Sequence, residues 1–132
     1  MASATDYTEN LILAWLLTLG TATRPTSWYL ALFTTATSDS TPGTEVGTGL
    51  GYIRRPIQFS VTQAAGATRA RNINTITFPT ATGNWGTITH IGVFDNSTDG
   101  NMLFHNILTS SKTIYTGDIL SIEVQELSIS LE

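Results

Sequence analysis

The chain has 132 residues, a formal net charge of −4 and an isoelectric point near 4.9, and it contains no cysteine. That length suits one domain with a single hydrophobic core, which at this size needs no disulfide or metal staple. The missing thiols exclude thiolate catalysis, disulfides and thiolate metal sites, and the acidic balance argues against nucleic acid as a partner.

Charged residues make up 12 % of the chain, about half of the roughly 25 % usual for a soluble domain. Threonine supplies roughly one residue in six, far above its usual share. It is β-branched and carries a hydroxyl, so it suits a pleated surface and forms hydrogen bonds without adding charge. Such a surface loses little desolvation energy when another protein covers it, because few ions must be stripped of water. The composition therefore points to a domain partly buried in an assembly.

In chain order, the first element reads as a helix over about residues 6–19. Asp6 is placed to cap it, with Glu9 three positions on as in a capping box. Tyr7, Leu11, Trp15 and Leu19 recur at spacings of four, with Ile12 and Leu16 beside them, and Leu13 and Leu17 make the second half apolar nearly all round. Gly20 offers a C-terminal cap and Pro25 blocks continuation. A helix apolar on every side must be covered on every side. Its own sheet covers one face, so Leu13 and Leu17 are expected to meet a partner chain or an extended loop. The greasy run is neither an export signal nor a membrane anchor: Asp6 and Glu9 precede it without Lys or Arg. At about nine residues it also falls short of the roughly 20 that span a bilayer.

From Trp28 the period changes to two. Trp28 to Phe33 is a strand apolar on both faces and belongs in the interior. Thr34 to Gly51 is a long turn-rich stretch of the kind that is usually functional or mobile. Strands follow at Tyr52 to Phe59, interrupted by Pro56, and at Asn72 to Phe78, with a turn at Gln63 to Thr68 between them. Thr87 to Phe94 is a further strand with Ile88, His90 and Phe94 on one side, and Met102 to Leu108 and Lys112 to Tyr115 continue the sheet. In Ile119 to Val124 the apolar residues Leu120, Ile122 and Val124 are even-numbered, whereas Leu127, Ile129 and Leu131 are odd. That phase switch predicts a bulge or a strand that changes sheets. The fold class is mainly β: an antiparallel β-sandwich or partly closed barrel with one N-terminal α-helix, as a single domain over residues 1–132.

Chemistry is sparse. His90 and His105 both fall in strands, too few to complete a zinc site, and no Gly-x-Ser-x-Gly elbow supports a nucleophilic serine. Asp95-Asn96-Ser97-Thr98-Asp99-Gly100 resembles the start of a calcium loop, but Asn106 stands where a bidentate Glu is needed, so a hairpin turn explains it better. Gly47, Gly49 and Gly51 precede no phosphate-receiving helix and read as flexible glycines that let a loop lie flat on a neighbour. No enzyme, metal or cofactor is expected. Of six basic residues, Arg54, Arg55, Arg69 and Arg71 lie close in sequence. Arg54 and Arg55 face opposite ways in a strand, whereas Arg69 and Arg71 share a face. Arginine favours interfaces because its planar fork grips carboxylates, so these four are candidates for docking on an acidic protein surface.

Tyr29-Leu30-Ala31-Leu32-Phe33-Thr34, Gly43-Thr44-Glu45-Val46, Gly51-Tyr52-Ile53-Arg54-Arg55 and Trp85-Gly86-Thr87-Ile88-Thr89-His90-Ile91-Gly92-Val93-Phe94-Asp95 resemble a family of small phage virion proteins. Ile76 to Ala81, Gly100 to Phe104, Lys112 to Ile114 and Thr116 to Leu120 continue the likeness, which covers roughly Trp28 to Leu131. Members are tail-fibre-like or minor structural proteins, and similar small β proteins serve as capsid cement. The resemblance implies a virion component without catalysis, made in the host cytoplasm. A lone domain without shaft repeat or heptad run is easier to place as a cap over capsid junctions than as a fibre. The expected function is therefore a capsid decoration protein, trimeric, bridging major capsid protein subunits. Its candidate contacts are Leu13, Leu17, Glu45, Arg54, Arg55, Arg69 and Arg71. The alternatives are a tail, baseplate or tail-fibre structural protein, and a carbohydrate-binding module in which Trp28, Trp85, Tyr52 and Tyr115 stack on sugars.

Overall fold

The computed structural model describes residues 2–64 and 66–130. Ala65, inside the expected turn, and Leu131, in the last expected strand, lie outside them. A two-residue strand β1 (Ser3–Ala4) leads into helix α1 (Asp6–Leu17). The helix is capped by Thr5, not by Asp6: the Thr5 hydroxyl accepts from the Thr8 amide at 3.3 Å. Thr5 holds this place because its hydroxyl also lies 2.6 Å from the Met102 carbonyl, and Thr8 Oγ1 donates to the Leu103 carbonyl at 2.7 Å. The first turn is thereby bolted to a distant strand. The helix stops at Leu17 rather than Leu19, with Thr18 as C-cap. Replacing Thr5 by alanine removes the cap and the long-range bonds together, and is expected to cost about 1–2 kcal/mol in urea unfolding. An unchanged midpoint would remove Thr5 from this role.

A five-stranded antiparallel sheet forms the centre, in the order β1-β8-β7-β2-β3. Its members are β2 (Tyr29–Phe33), β3 (Arg55–Pro56), β7 (Gly86–Phe94) and β8 (Met102–Ile114) with β1. As its two apolar faces require, β2 lies inside, between β7 and β3, with Leu30 to Phe33 buried. The strand expected over Tyr52 to Phe59 shrinks to Arg55–Pro56, because Pro56 has no amide to extend a ladder. A second sheet has the order β10-β5-β4, from β4 (Phe59–Ala64), β5 (Ala67–Asn72) and β10 (Ser128–Ser130), and its hairpin is tighter than the expected six-residue turn. The pair β6 (Ile76–Thr77) and β9 (Ser121–Ile122) completes the strands. None of the three sheets closes on itself, and the architecture is a β-sandwich.

Between the layers lie Leu30, Leu32, Ile57, Ile76, Phe78, Trp85, Ile88, Ile91, Val93, Leu127 and Ile129. The expected common face of Ile88, His90 and Phe94 does not form. Between the pairs Ile88↔Lys112 and His90↔Ile107, Thr89 alone opposes Leu108 to Ser111, and this bulge reverses the phase of β7. Ile91 and Val93 then face the main core, while Phe94 joins Ala31, Phe33 and Met102 in a second cluster. The phase switch near the C-terminus is a change of sheet: Ile122 pairs with β6, Ile129 with β5, and Gln125 turns the chain between them at φ 69°. Ala2 bridges to Ile129 and so links β10 toward the larger sheet.

Candidate interaction surfaces

The expected partner residues fall into three groups with different fates. Glu45 and Arg54 are used inside the chain. Arg54 Nε donates to Glu45 Oε2 at 2.9 Å and Nη2 to Oε1 at 2.8 Å, a bidentate pair, while Nη1 reaches the carbonyls of Asn96 (3.0 Å) and Asp99 (2.8 Å). Its guanidinium lies 3.8 Å from the centroid of the Phe94 ring, over the second apolar cluster. The Arg54 side chain is only 8 % exposed. With four donor bonds made internally, Arg54 has little left for another molecule, and Glu45 is taken up with it. Tyr52 joins them, donating to Glu45 Oε2 at 2.6 Å and accepting from the Leu32 amide at 3.1 Å. Burial, then the bond to Glu45, pushes the Tyr52 hydroxyl well above its ordinary pKa.

This node also explains the stretch Thr34 to Gly51, which is pinned along its length. Glu45 bridges to Phe33, Val46 N donates to Leu32 O, and the Trp85 indole donates to Leu50 O at 2.8 Å. His105 holds the start of the stretch, with Nδ1 2.8 Å from Thr37 Oγ1 and Nε2 2.8 Å from Asp39 Oδ1. Gly51 serves close packing instead of flexibility: at φ 82°, a Cβ there would sit 2.8 Å from the Thr80 carbonyl. Asp95 to Gly100 is the β7–β8 hairpin turn, with Asp95 Oδ1 accepting from the Asn101 amide at 2.7 Å. Of the aromatics considered for sugar stacking, Trp85 and Tyr52 pack edge to face at 5.5 Å within the core and Trp28 packs against it, whereas Tyr115 is exposed.

The second group is the helix. Leu13 is 56 % exposed and Leu17 73 %, with Trp15, Leu16 and Leu19 equally open. The helix is anchored through its first turn, and among the described residues most of its apolar second half is exposed. Ala22 and Arg24 fold back beside Leu11, Ile12 and Trp15, lining a groove of about 270 Å³. No helix among the described residues is long and apolar enough to cross a membrane.

The third group is the remaining arginines. Arg55 is half-buried at the sheet edge on β3. Arg69 and Arg71 lie in β5, on the face opposite Ala70 and Asn72, away from the main core. Arg55 thus belongs to the five-stranded sheet and Arg69 and Arg71 to the three-stranded one, while Arg54 precedes β3 outside both. Sequence reasoning missed that hydroxyls flank the β5 pair on both neighbouring strands, because the register that aligns them joins segments almost 60 residues apart.

No curated protein matches the chain. The model of the family described as podophage GP4 fiber I protein gp80 matches residues 3–130. This backs the tail-fibre alternative over the capsid-cement role, and the chain belongs to that family of phage virion structural proteins.

Proposed function

We propose that the chain is a non-enzymatic structural subunit of a phage tail fibre, joined to other virion proteins through the uncovered half of α1. The observation that carries this reading is the uncharged second half of α1, with Leu13, Trp15, Leu16 and Leu17 all more than half exposed, in a chain whose family is named for a fibre protein. An apolar patch of this kind is a liability on an isolated particle and an asset in an assembly, because burial returns about 25 cal/mol per Å². Between Asn10 and Thr23 no residue is charged, so a partner can cover the patch without stripping water from an ion. The family match supports the fibre over the shell that the lone-domain argument favours.

Localisation tests the placement. Cryo-electron microscopy of purified particles is expected to show this chain in fibres at the tail, with few copies relative to the major capsid protein. An even coat of hundreds of copies over the shell would restore the cement role. The helix is tested separately with Leu13→Ser/Leu17→Ser. Both side chains are already exposed, so the isolated protein should unfold within about 0.5 kcal/mol per substitution of the parent. Incorporation into particles should fall severalfold; full incorporation would remove the helix from the interface.

A further inference from the structure

Arg69 and Arg71 sit side by side on β5 with hydroxyls across the sheet from each of them. Register places Ser128 and Ser60 on either side of Arg71, and Ser130 and Thr62 on either side of Arg69. All six side chains project from the same face of the three-stranded sheet, opposite the face that carries Phe59, Ala70 and Ile129 into the core. Residues two apart on a strand stand only about 6.6 Å from one another, so two cations face outward at close range. Among the described residues no carboxylate lies within salt-bridge distance of either. Four shielded side-chain polar atoms lack a hydrogen-bond partner there: Arg69 Nε, Arg71 Nε, Ser128 Oγ and Ser130 Oγ. Every one belongs to this patch. Shielded donors are ordinarily satisfied, and adjacent like charges repel.

We propose that this face is the docking site for an acidic segment of another virion protein, whose carboxylates seat on Arg69 and Arg71 and are flanked by the serine and threonine hydroxyls. This inference deepens the proposed function and rests on it. On docking, the arginine side chains shift so that a carboxylate accepts two parallel N–H bonds from a guanidinium, the shielded Nε–H among them, which cancels the repulsion between the neighbours. Ser128 and Ser130 then have an acceptor for their hydroxyl protons. Protein carboxylates suit the site better than a polyanion such as nucleic acid, because the chain carries a net −4 that repels a dense run of phosphates at long range. A few carboxylates on an otherwise neutral surface meet little of that repulsion. The three strands are hydroxyl-rich, with no acidic residue between Phe59 and Asn72.

The test is nuclear magnetic resonance on the intact protein, following the Nε–Hε signals of Arg69 and Arg71. The protein is titrated with a synthetic peptide of alternating Glu and Thr, and separately with inorganic phosphate. The peptide is expected to move those two signals, with binding weakened about tenfold between 50 and 500 mM salt. Shifts confined to other arginines, or none, would overturn the proposal. Phosphate binding more tightly than the peptide at the same signals would overturn it in favour of a phosphate ligand. In particles, Arg69→Gln/Arg71→Gln is expected to reduce incorporation about tenfold while melting like the parent, and undiminished incorporation again overturns the site. If that variant fails to fold, Arg69→Lys/Arg71→Lys replaces it: charge is kept and the fork lost, so a severalfold drop supports the site and no drop overturns it. Absence of the parent protein from the fibre would refute the proposed function alone, and the titration would still decide the binding face.

Discussion

Replacing Arg54 by alanine is expected to lower the unfolding free energy by about 3–5 kcal/mol, the usual cost of removing one partner from a buried ion pair. In a domain of this size that corresponds to a fall in melting temperature of roughly 10 °C or more. Three losses add. Glu45 keeps its Tyr52 bond but loses both guanidinium donors. The carbonyls of Asn96 and Asp99 lose their shared donor, which loosens the β7–β8 turn. Phe94 loses the cation over its ring, and the second apolar cluster loses its cover. Glu45→Gln should cost less, because Arg54 retains the two carbonyls and the ring. Arg54→Lys should fall between them, since an ammonium cannot make the paired bonds. Salt should change the difference little, because the Arg54 side chain is nearly closed to solvent. A loss below about 1 kcal/mol for the alanine variant would show that the node is ornamental.

That node marks the boundary of what could be read in advance. Glu45 and Arg54 were visible as charged residues in an almost uncharged stretch, and an interface was the reasonable inference from their type. What paired them was a fold-back of the glycine-rich segment along β2, held by Val46 N to Leu32 O, and no local pattern encodes that return. The helix shows the same division. Its presence and apolar surround were legible from periodicity, whereas its end at Leu17 was not, and the choice of Thr5 over Asp6 as cap depended on carbonyls at Met102 and Leu103. The phase switch between Leu120 and Leu127 was legible because alternation is a strict period-two signal. The reversal in β7 was not, because Thr89 is an ordinary strand residue and the extra length lies in the partner strand. Of the surfaces, the apolar helix could be read from local periodicity. The Arg69–Arg71 face needed the register of β10 on β5.

The C-terminal return depends on a residue that no motif singles out. Asn72 is fully buried. Its side-chain amide donates to the carbonyls of Asn74 (2.8 Å) and Glu123 (2.9 Å), and its oxygen accepts from Leu127 N at 2.9 Å. Its backbone adds bonds to Leu127 O and from Gln125 N. One asparagine therefore clamps the turn in which the chain passes from β9 to β10. Asn72→Ala strands a buried amide and two carbonyls, and should cost about 3–5 kcal/mol. Asn72→Asp is the more discriminating variant. It keeps the acceptor for Leu127 but sets an oxygen against two carbonyl oxygens. Burial and those carbonyls disfavour the ionised form, so the aspartate pKa should rise on folding above its unfolded value of about 3.9. The native state then holds its proton more tightly than the unfolded state does. Relative to the parent, the variant should be least destabilised below about pH 4 and should lose stability as pH climbs from there through the raised pKa. Urea midpoints of both proteins between about pH 3 and pH 8 measure this directly. A deficit that stays constant, or grows toward acid, would mean that the side chain at this position escapes to solvent and that the return is held by the backbone bonds alone.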